Sequence, residues 1–173
     1  MSRDLCTVCE NMLVEPSGPS ESPILIAGEF PGYQETMEGK PFVGEAGKVL
    51  KEEMKRLGMS LKEFRVTNLW LHQQPDKKDD WYAGCFAESC KSFNKEARDR
   101  QAILLLGSEC ANYFVGKGVM SIAGLQVESP SLSAPIIVCA PNPAICLQPK
   151  KSIGEFRLAL KRFRDACREA GLL

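Results

Sequence analysis

The sequence predicts a three-layer α/β/α fold with a central, mainly parallel four-stranded sheet. Short apolar segments alternate with amphipathic ones, which is the pattern of strand–helix–strand units. The apolar segments are almost continuous, as expected of strands that are buried on both faces. The 173 residues are 44% hydrophobic and 25% charged, a composition suited to a globular protein with one core. We therefore expect residues 1–173 to form one domain.

Four apolar segments are the predicted strands: residues 23–27, 64–70, 102–106 and 134–139. Each is followed by a loop that is rich in glycine or polar residues. Open parallel sheets bind their ligands beyond the carboxyl ends of the strands. Functional residues are therefore expected in these four loops.

Amphipathic segments between and after the strands are the predicted helices: residues 43–57, 79–100, 107–114 and 153–170. The first has apolar residues at helical spacing and stops at Gly58. Gly84 lies within the second segment and weakens the prediction of a helix there, because glycine has a low helix propensity. Ser108 is the expected N-cap of the third, because its hydroxyl could accept a hydrogen bond from the first turn.

Charge and composition exclude several classes of protein. The 22 basic and 22 acidic residues give no net charge, so a protein that coats nucleic acid through a strong positive field is excluded, and any DNA site must be local. No apolar run is long enough to cross a membrane, and the first residues lack a signal-peptide core, so we expect a cytoplasmic protein. In that reducing compartment, the eight cysteines serve metal binding or packing rather than disulfides.

The strongest local signal is a glycine-rich loop after the first strand. It contains Gly28-Glu-Phe-Pro-Gly32, then Gly39-Lys-Pro-Phe-Val-Gly44 and Ala46-Gly47. Glycine allows unusual backbone angles and close approach to a ligand, and the loop leads into a helix N-terminus. A Walker motif is excluded because Val49 follows Gly47-Lys48 and position 42 is Phe, and no GxGxxG fingerprint follows the strand.

The run GEFPGYQETMEGKPFVGEAG resembles the first signature of the iron-sulfur branch of the uracil-DNA glycosylase superfamily, a GE(A/G)PG loop followed by G(R/K)PFVG and AG. Further resemblances follow in order: Thr67-Asn68, the run from Leu105 to Ser108, and Asn142-Pro143-Ala144 in place of a His-Pro-Ser motif. The resemblance implies an enzyme that extrudes uracil or a related pyrimidine from single- or double-stranded DNA and hydrolyses its N-glycosidic bond. It also implies a structural [4Fe-4S] cluster.

Two residues are the main candidates for holding the extruded base. Phe42 could replace the stacking that a flipped base loses, with packing in the core as the alternative. Asn68 ends a strand and offers a donor and an acceptor to the imide edge of uracil, with a strand-end cap as the alternative. The resemblance adds Gly28 and Phe30 to this base-binding set.

Catalytic roles follow from the resemblance. Glu29 corresponds to an acidic residue associated with water, and could also stabilise a cationic sugar or simply hold the loop. Glu35 matches a second acidic position, whereas Thr36 replaces an acid. Asn142 replaces the histidine that donates to uracil O2; an amide can donate but cannot carry positive charge. Ala144 likewise replaces a serine.

The DNA backbone is expected to meet the loops after the third and fourth strands. Gly107 and Ser108 are candidates by resemblance, and Lys150 and Lys151 could contact phosphates. The alternative for the lysines is an ordinary solvated surface.

A metal site is predicted from the cysteine pair Cys6-x-x-Cys9, whose spacing suits soft metals without separating zinc from iron-sulfur. The resemblance places a third ligand at His72, the only histidine, and Rieske centres show that imidazole can serve such a cluster. The fourth ligand is Cys90 or Cys85, and we favour Cys90. The competing set is Cys6, Cys9, Cys85 and Cys90, without His72.

A second function is also open. Asn142, Ala144, Thr36 and the neutral net charge are compatible with a glycosylase fold that binds DNA or a partner without catalysis. In either case we expect a monomer.

Overall fold

The computed structural model describes residues 3–148 and 153–173. The predicted fold class is confirmed: strands β1 (Ile24–Gly28), β2 (Arg65–Asn68), β3 (Ala102–Leu106) and β4 (Ile136–Ala140) form one parallel sheet in the order β2-β1-β3-β4. The chain moves from β1 to β2 on one side, and then crosses to β3 on the other side of β1. Ligands of open α/β sheets bind at this kind of reversal.

Six α-helices are described: α1 (Tyr33–Glu38), α2 (Glu45–Arg56), α3 (Tyr82–Ala97), α4 (Ser108–Val115), α5 (Val119–Ile122) and α6 (Gly154–Glu169). Short 3-10 helices cover Leu61–Glu63 and Pro143–Leu147. The sequence did not predict α1 or α5, because α1 buries no residue and α5 has only four residues, too few to show a period. Within the described ranges, no helix combines the length and apolarity needed to span a bilayer.

The two faces of the sheet are covered by different helices. Leu25 and Ala27 pack against the layer formed by α3, α4 and α5. Ile24 and Ile26, which alternate with them along β1, pack against α2 and α6. This alternation explains the continuous apolar strands, since burial of one such large side chain contributes about 1.5–3 kcal/mol. The carboxyl ends of all four strands are thereby fixed at one edge.

The start of α4 differs from the prediction. Gly107, with φ +102°, is the N-cap residue, and Ser108 is already the first helical residue. The N–H group of Glu109 donates instead to the carboxylate of Glu29, at 2.8 Å. A side chain from the loop after β1 therefore caps α4, and no local sequence signal could reveal this.

A partly buried ion pair joins α2 to α6. The Glu53 carboxylate accepts hydrogen bonds from Nε and Nη2 of Arg157, at 2.8 and 3.0 Å. The Glu53 side chain is 7% exposed and that of Arg157 is 47% exposed. The hydrogen bonds from Arg157 lower the pKa of Glu53 below its usual value. The folded state therefore favours the ionised carboxylate.

We predict that Glu53→Gln lowers the free energy of unfolding by about 1.5–3 kcal/mol at pH 7, the range for a hydrogen bond to a charged group. A lowered folded-state pKa stabilises the protein above the unfolded-state pKa and loses this contribution as the pH falls. The difference between wild type and variant should therefore shrink below about pH 4, where an unfolded glutamate protonates. Urea unfolding at pH 7 and pH 3 measures it, with Glu52→Gln, an exposed neighbour, as control. An equal difference at both pH values would contradict the prediction.

Candidate functional site

A cavity of about 360 Å³ opens at the carboxyl ends of the strands, beside the reversal of strand order between β1 and β3. Its volume lies in the range of small-molecule sites. The structure brings together here all the residues that the sequence predicted for base binding and catalysis: Gly28, Glu29, Phe30, Glu35, Phe42, Asn68 and Asn142. Leu106 and Pro143 complete the apolar part of the wall.

Gly28 has no side chain, and this makes room for the side chains of Asn68 and Phe42 in the cavity. It lies opposite Asn68 in the β1–β2 ladder. A Cβ atom on Gly28 would lie 2.5 Å from Oδ1 of Asn68 and 2.8 Å from Cζ of Phe42. The amide and the aromatic ring therefore meet directly over the glycine backbone. Any larger residue would push them apart.

Phe42 occupies a strained turn. Its φ of +56° is unfavourable for a residue with a side chain, by about 1–2 kcal/mol. The N–H group of Gly44 donates to the carboxylate of Glu35, at 2.8 Å, and this bond holds the turn. The carbonyl carbon and oxygen of Phe42 lie against Gly47, where a Cβ atom would be only 2.2–2.3 Å away. Glu35 and Gly47 thus keep the buried ring of Phe42 at the cavity wall.

Asn68 is 5% exposed and lines the cavity. Among residues 3–148 and 153–173, no group forms a hydrogen bond with its side-chain amide. The amide faces the cavity without a partner from the described chain, so it is available to a ligand. The strand-end cap that the sequence left open is not formed.

Glu29 and Asn142 form a coupled pair. Nδ2 of Asn142 donates to Oε2 of Glu29 at 2.8 Å, while Oε1 of Glu29 accepts from the N–H group of Glu109. Oδ1 of Asn142 accepts from the N–H group of Ala144 at 2.9 Å. Both side chains are therefore fixed before any ligand binds. The sequence did not predict this pairing, because the two residues are far apart along the chain.

The residues predicted to contact DNA lie outside this group. The N–H group of Gly107 donates to the carbonyl oxygen of Ala140 at 2.8 Å, so this group is not available to a phosphate, and a DNA contact at Gly107 stays a prediction. Ser108 is exposed at the start of α4 and stays a candidate. Lys150 and Lys151 lie outside the described residues.

A second constellation lies beside the α3 layer. Four side chains, from Cys6, Cys9, His72 and Cys85, place one possible ligand atom each within 4.8 Å of all the others. The Sγ atoms of Cys6 and Cys85 are 3.7 Å apart, and Sγ of Cys9 is 3.6 Å from Nε2 of His72. Burial raises the pKa of the Cys6 and Cys85 thiols, so a bound cation is needed to favour their thiolates.

The histidine in this group is oriented for metal binding. Its Nδ1 lies 2.7 Å from the carbonyl oxygen of Gln73, to which an Nδ1–H group would donate. That hydrogen bond leaves the lone pair of Nε2 free for a metal, which is the usual arrangement behind a histidine ligand. His72 is buried and is not a solvated loop residue.

The structure does not bring Cys90, the ligand that the sequence favoured, into this group, and so it does not assemble the all-cysteine set. Cys85 and Cys90 are five residues apart, which places their side chains about 140° apart around α3. Cys85 faces Cys6, whereas Sγ of Cys90 lies 3.4 Å from the hydroxyl of Tyr113. Spacing to neighbouring motifs could not decide between them, whereas the phase of the helix does.

Three sulfur donors and one imidazole suit either zinc or an iron-sulfur cluster chemically. The observed separations are close to the roughly 3.8 Å between two thiolates bound at about 2.3 Å to one tetrahedral ion. A four-iron cluster carries its ligands on four different iron atoms, so these side chains would turn outward to hold it. The donor set fits such a cluster in number and kind.

The sequence model of the uracil DNA glycosylase superfamily matches residues 15–164, which include the whole cavity. The chain belongs to this superfamily. The resemblance seen in the motifs is thereby confirmed. Cys6 and Cys9 lie before the matched range.

Individual members of the superfamily match the chain in part. A type-4 uracil-DNA glycosylase of Saccharolobus solfataricus is 43% identical over 63 residues, which are 36% of this chain and 29% of that protein. One from Archaeoglobus fulgidus is 36% identical over 62 residues, or 36% and 31% of the two chains. One from Thermotoga maritima is 30% identical over 129 residues, or 70% and 66%. The chain thus matches less than a third of the first two relatives.

We predict that Gly47→Ala lowers the free energy of unfolding by about 1–3 kcal/mol, the usual cost of overpacking. The new methyl group would clash with the backbone of Phe42, which cannot move aside as a flexible side chain could. Thermal unfolding measures the change. Gly118→Ala is the matched control, because a Cβ atom there meets nothing within 4 Å, and its cost should stay within about 0.5 kcal/mol. Equal melting temperatures for the two variants would refute the clash.

Proposed function

We propose that this protein is a DNA glycosylase that hydrolyses the N-glycosidic bond of uracil, or of a related pyrimidine, flipped out of DNA, and leaves an abasic site. One observation carries the proposal: an aromatic ring and an unpaired amide meet over Gly28 at the wall of one cavity. The first replaces lost base stacking and the second can read a base edge. The relatives named as type-4 uracil-DNA glycosylases support the same activity.

Recognition of the base rests on Phe42 and Asn68. The ring of Phe42 stacks on the face of the pyrimidine. The amide of Asn68 donates to O4 and accepts from N3–H, a pair of contacts that only a uracil-like edge satisfies. Cytosine presents the opposite donor and acceptor at these atoms, so it leaves two buried groups unpaired.

Bond cleavage rests on Glu29 and Asn142. Each carboxylate oxygen of Glu29 accepts one hydrogen bond from the protein and has capacity for another. Glu29 can therefore orient the attacking water and stabilise positive charge on the sugar. Asn142 uses one hydrogen of its Nδ2 group on Glu29, and the other can donate to O2 as negative charge develops there. Glu35 positions Phe42 through Gly44 and does not act on the base.

Cys6, Cys9, His72 and Cys85 hold the metal group, which we propose is a [4Fe-4S] cluster as the sequence resemblance implies. Its role is structural, since it would join three parts of the chain: the N-terminal segment, helix α3 and the loop that follows β2. One buried group supports a cluster over a single ion. The indole N–H of Trp70, whose ring lies 6.2 Å from that of His72, has no acceptor in the described part of the chain, and cluster sulfides accept hydrogen bonds.

The partner is DNA, bound by a monomer. Thiolate ligands persist in a reducing compartment, so we place the protein in the cytoplasm. Ser108 is the proposed phosphate contact, with Lys150 and Lys151 as further candidates.

We predict that Cys85→Ser abolishes the metal content, whereas Cys90→Ser retains it, because only Cys85 faces the other donors. Iron, acid-labile sulfide and zinc are measured per chain after anaerobic purification. The wild type should be brown, with iron and sulfide in near-equal amounts. A colourless protein with one zinc would refute the cluster but keep the ligand set. Loss of metal in Cys90→Ser alone would refute the ligand set.

We predict that the wild type releases free base from a uracil-containing oligonucleotide, and that Asn68→Ala slows this release about 100-fold or more, as for loss of one transition-state donor. The matched control is Asn112→Ala, an exposed asparagine on α4, which should retain full activity. Release is followed on single- and double-stranded substrates with metal-replete protein.

The same assay tests the rival function, a glycosylase fold that binds DNA or a partner without cleaving. The rival has support in Asn142, whose amide is already engaged at both ends. Binding without release from either substrate, with no gain in Asn142→His, would establish the rival. Release that Glu29→Gln abolishes would exclude it.

A further inference from the structure

Two aromatic side chains stand at the mouth of the cavity and are not used by the function proposed above. Phe30 is 43% exposed and Tyr33 is 72% exposed, and both line the cavity. Neither ring contacts another aromatic ring within residues 3–148 and 153–173. Exposed apolar surface that collects beside a binding site marks a place of contact with a ligand.

The backbone beneath Phe30 is firmly held. The carbonyl oxygen of Glu29 accepts from the N–H group of Trp70 at 2.8 Å, and the side chain of Glu29 is fixed to α4. Pro31 follows Phe30 and is buried. Tyr33 is the first residue of α1. The ring of Phe30 is therefore presented by a held backbone, and little backbone entropy is lost when it binds.

Phe30 is also a departure from the motif that the chain resembles. The GE(A/G)PG pattern has a small residue where this chain has phenylalanine. The wall of the cavity already has an aromatic ring in Phe42, buried at 8% exposure, to stack on the flipped base. A second, exposed ring at the mouth serves a different surface.

We propose that Phe30 and Tyr33 stack on the nucleobases that flank the flipped nucleotide. This inference rests on the proposed function. Extrusion of one base exposes the faces of its neighbours, and aromatic side chains bind such faces without regard to sequence. A chain without net charge gains little from a general positive field, so stacking supplies affinity that phosphate contacts do not.

The test uses two single-stranded oligonucleotides that carry one deoxyuridine with fluorine at the sugar 2′ position, which makes its glycosidic bond resist hydrolysis. The first has ordinary bases on both sides, and the second has abasic residues at the two flanking positions. The wild type should bind the first about tenfold more tightly, the usual effect of one or two stacked bases. Phe30→Ala and Tyr33→Ala should each reduce this ratio, and the double variant should bring it close to one.

Affinity of the variants for the oligonucleotide with abasic flanks serves as the internal control. It should match that of the wild type, which shows that the fold and the base pocket are intact. Met120→Ala, which removes a 56% exposed side chain from α5, outside the cavity lining, should keep the wild-type ratio. A double variant that keeps the wild-type ratio overturns the inference. So does an equal loss for both oligonucleotides, because the rings would then act on the flipped base or on folding.

The outcome is separable from that of the proposed function. The ratio is also measured with thymine in place of the fluorinated deoxyuridine. A protein that releases no base from uracil-containing DNA but shows the ring-dependent ratio refutes the glycosylase and supports the stacking surface. A protein that releases base, with a ratio that the variants do not change, refutes the stacking surface alone.

Discussion

The carboxylate of Glu29 joins the three loops on which the site depends. Glu29 lies in the loop after β1. Its carboxylate accepts one hydrogen bond from the N-terminus of α4, which follows β3, and another from the amide of Asn142, which follows β4. Gly107 makes this possible, because a Cβ atom there would lie 2.2 Å from the Glu29 carboxyl carbon. Parallel strands fix where these loops start, and this carboxylate contacts two of the other loops at once, which helps to fix how they meet. The catalytic candidates are therefore also parts of the support of the site.

Much of the fold was predictable because its signals are local. Continuous apolar runs predicted β1, β3 and β4, whereas β2 was predicted from residues 64–70, which also include Arg65, Thr67 and Asn68. Apolar residues at helical spacing predicted α2 and α6. The base-pocket residues were predictable because their motif lies in one stretch of chain. The carboxyl ends of β1 and β2 then bring Gly28 and Asn68 side by side.

The errors concern relations between distant parts of the chain. Ser108 is a residue type that favours the N-cap position, but the first turn of α4 donates instead to the carboxylate of Glu29, from another loop. Cys90 and Cys85 could not be separated by counting residues to the next motif, because the deciding variable is the phase of α3 against the N-terminal segment. The pairing of Glu29 with Asn142 and the role of Gly107 as a gap for Glu29 require the tertiary structure. Short helices such as α5 leave no periodicity to detect.

The distance along the chain between Asn68 and His72 is four residues, at most about 14 Å of backbone. The intervening residues are also bonded to the glycine loop: the N–H groups of Leu69 and Trp70 donate to the carbonyl oxygens of Gly28 and Glu29. A change that loosens the four side chains around His72 would therefore also loosen the segment that carries Asn68, at the wall of the cavity.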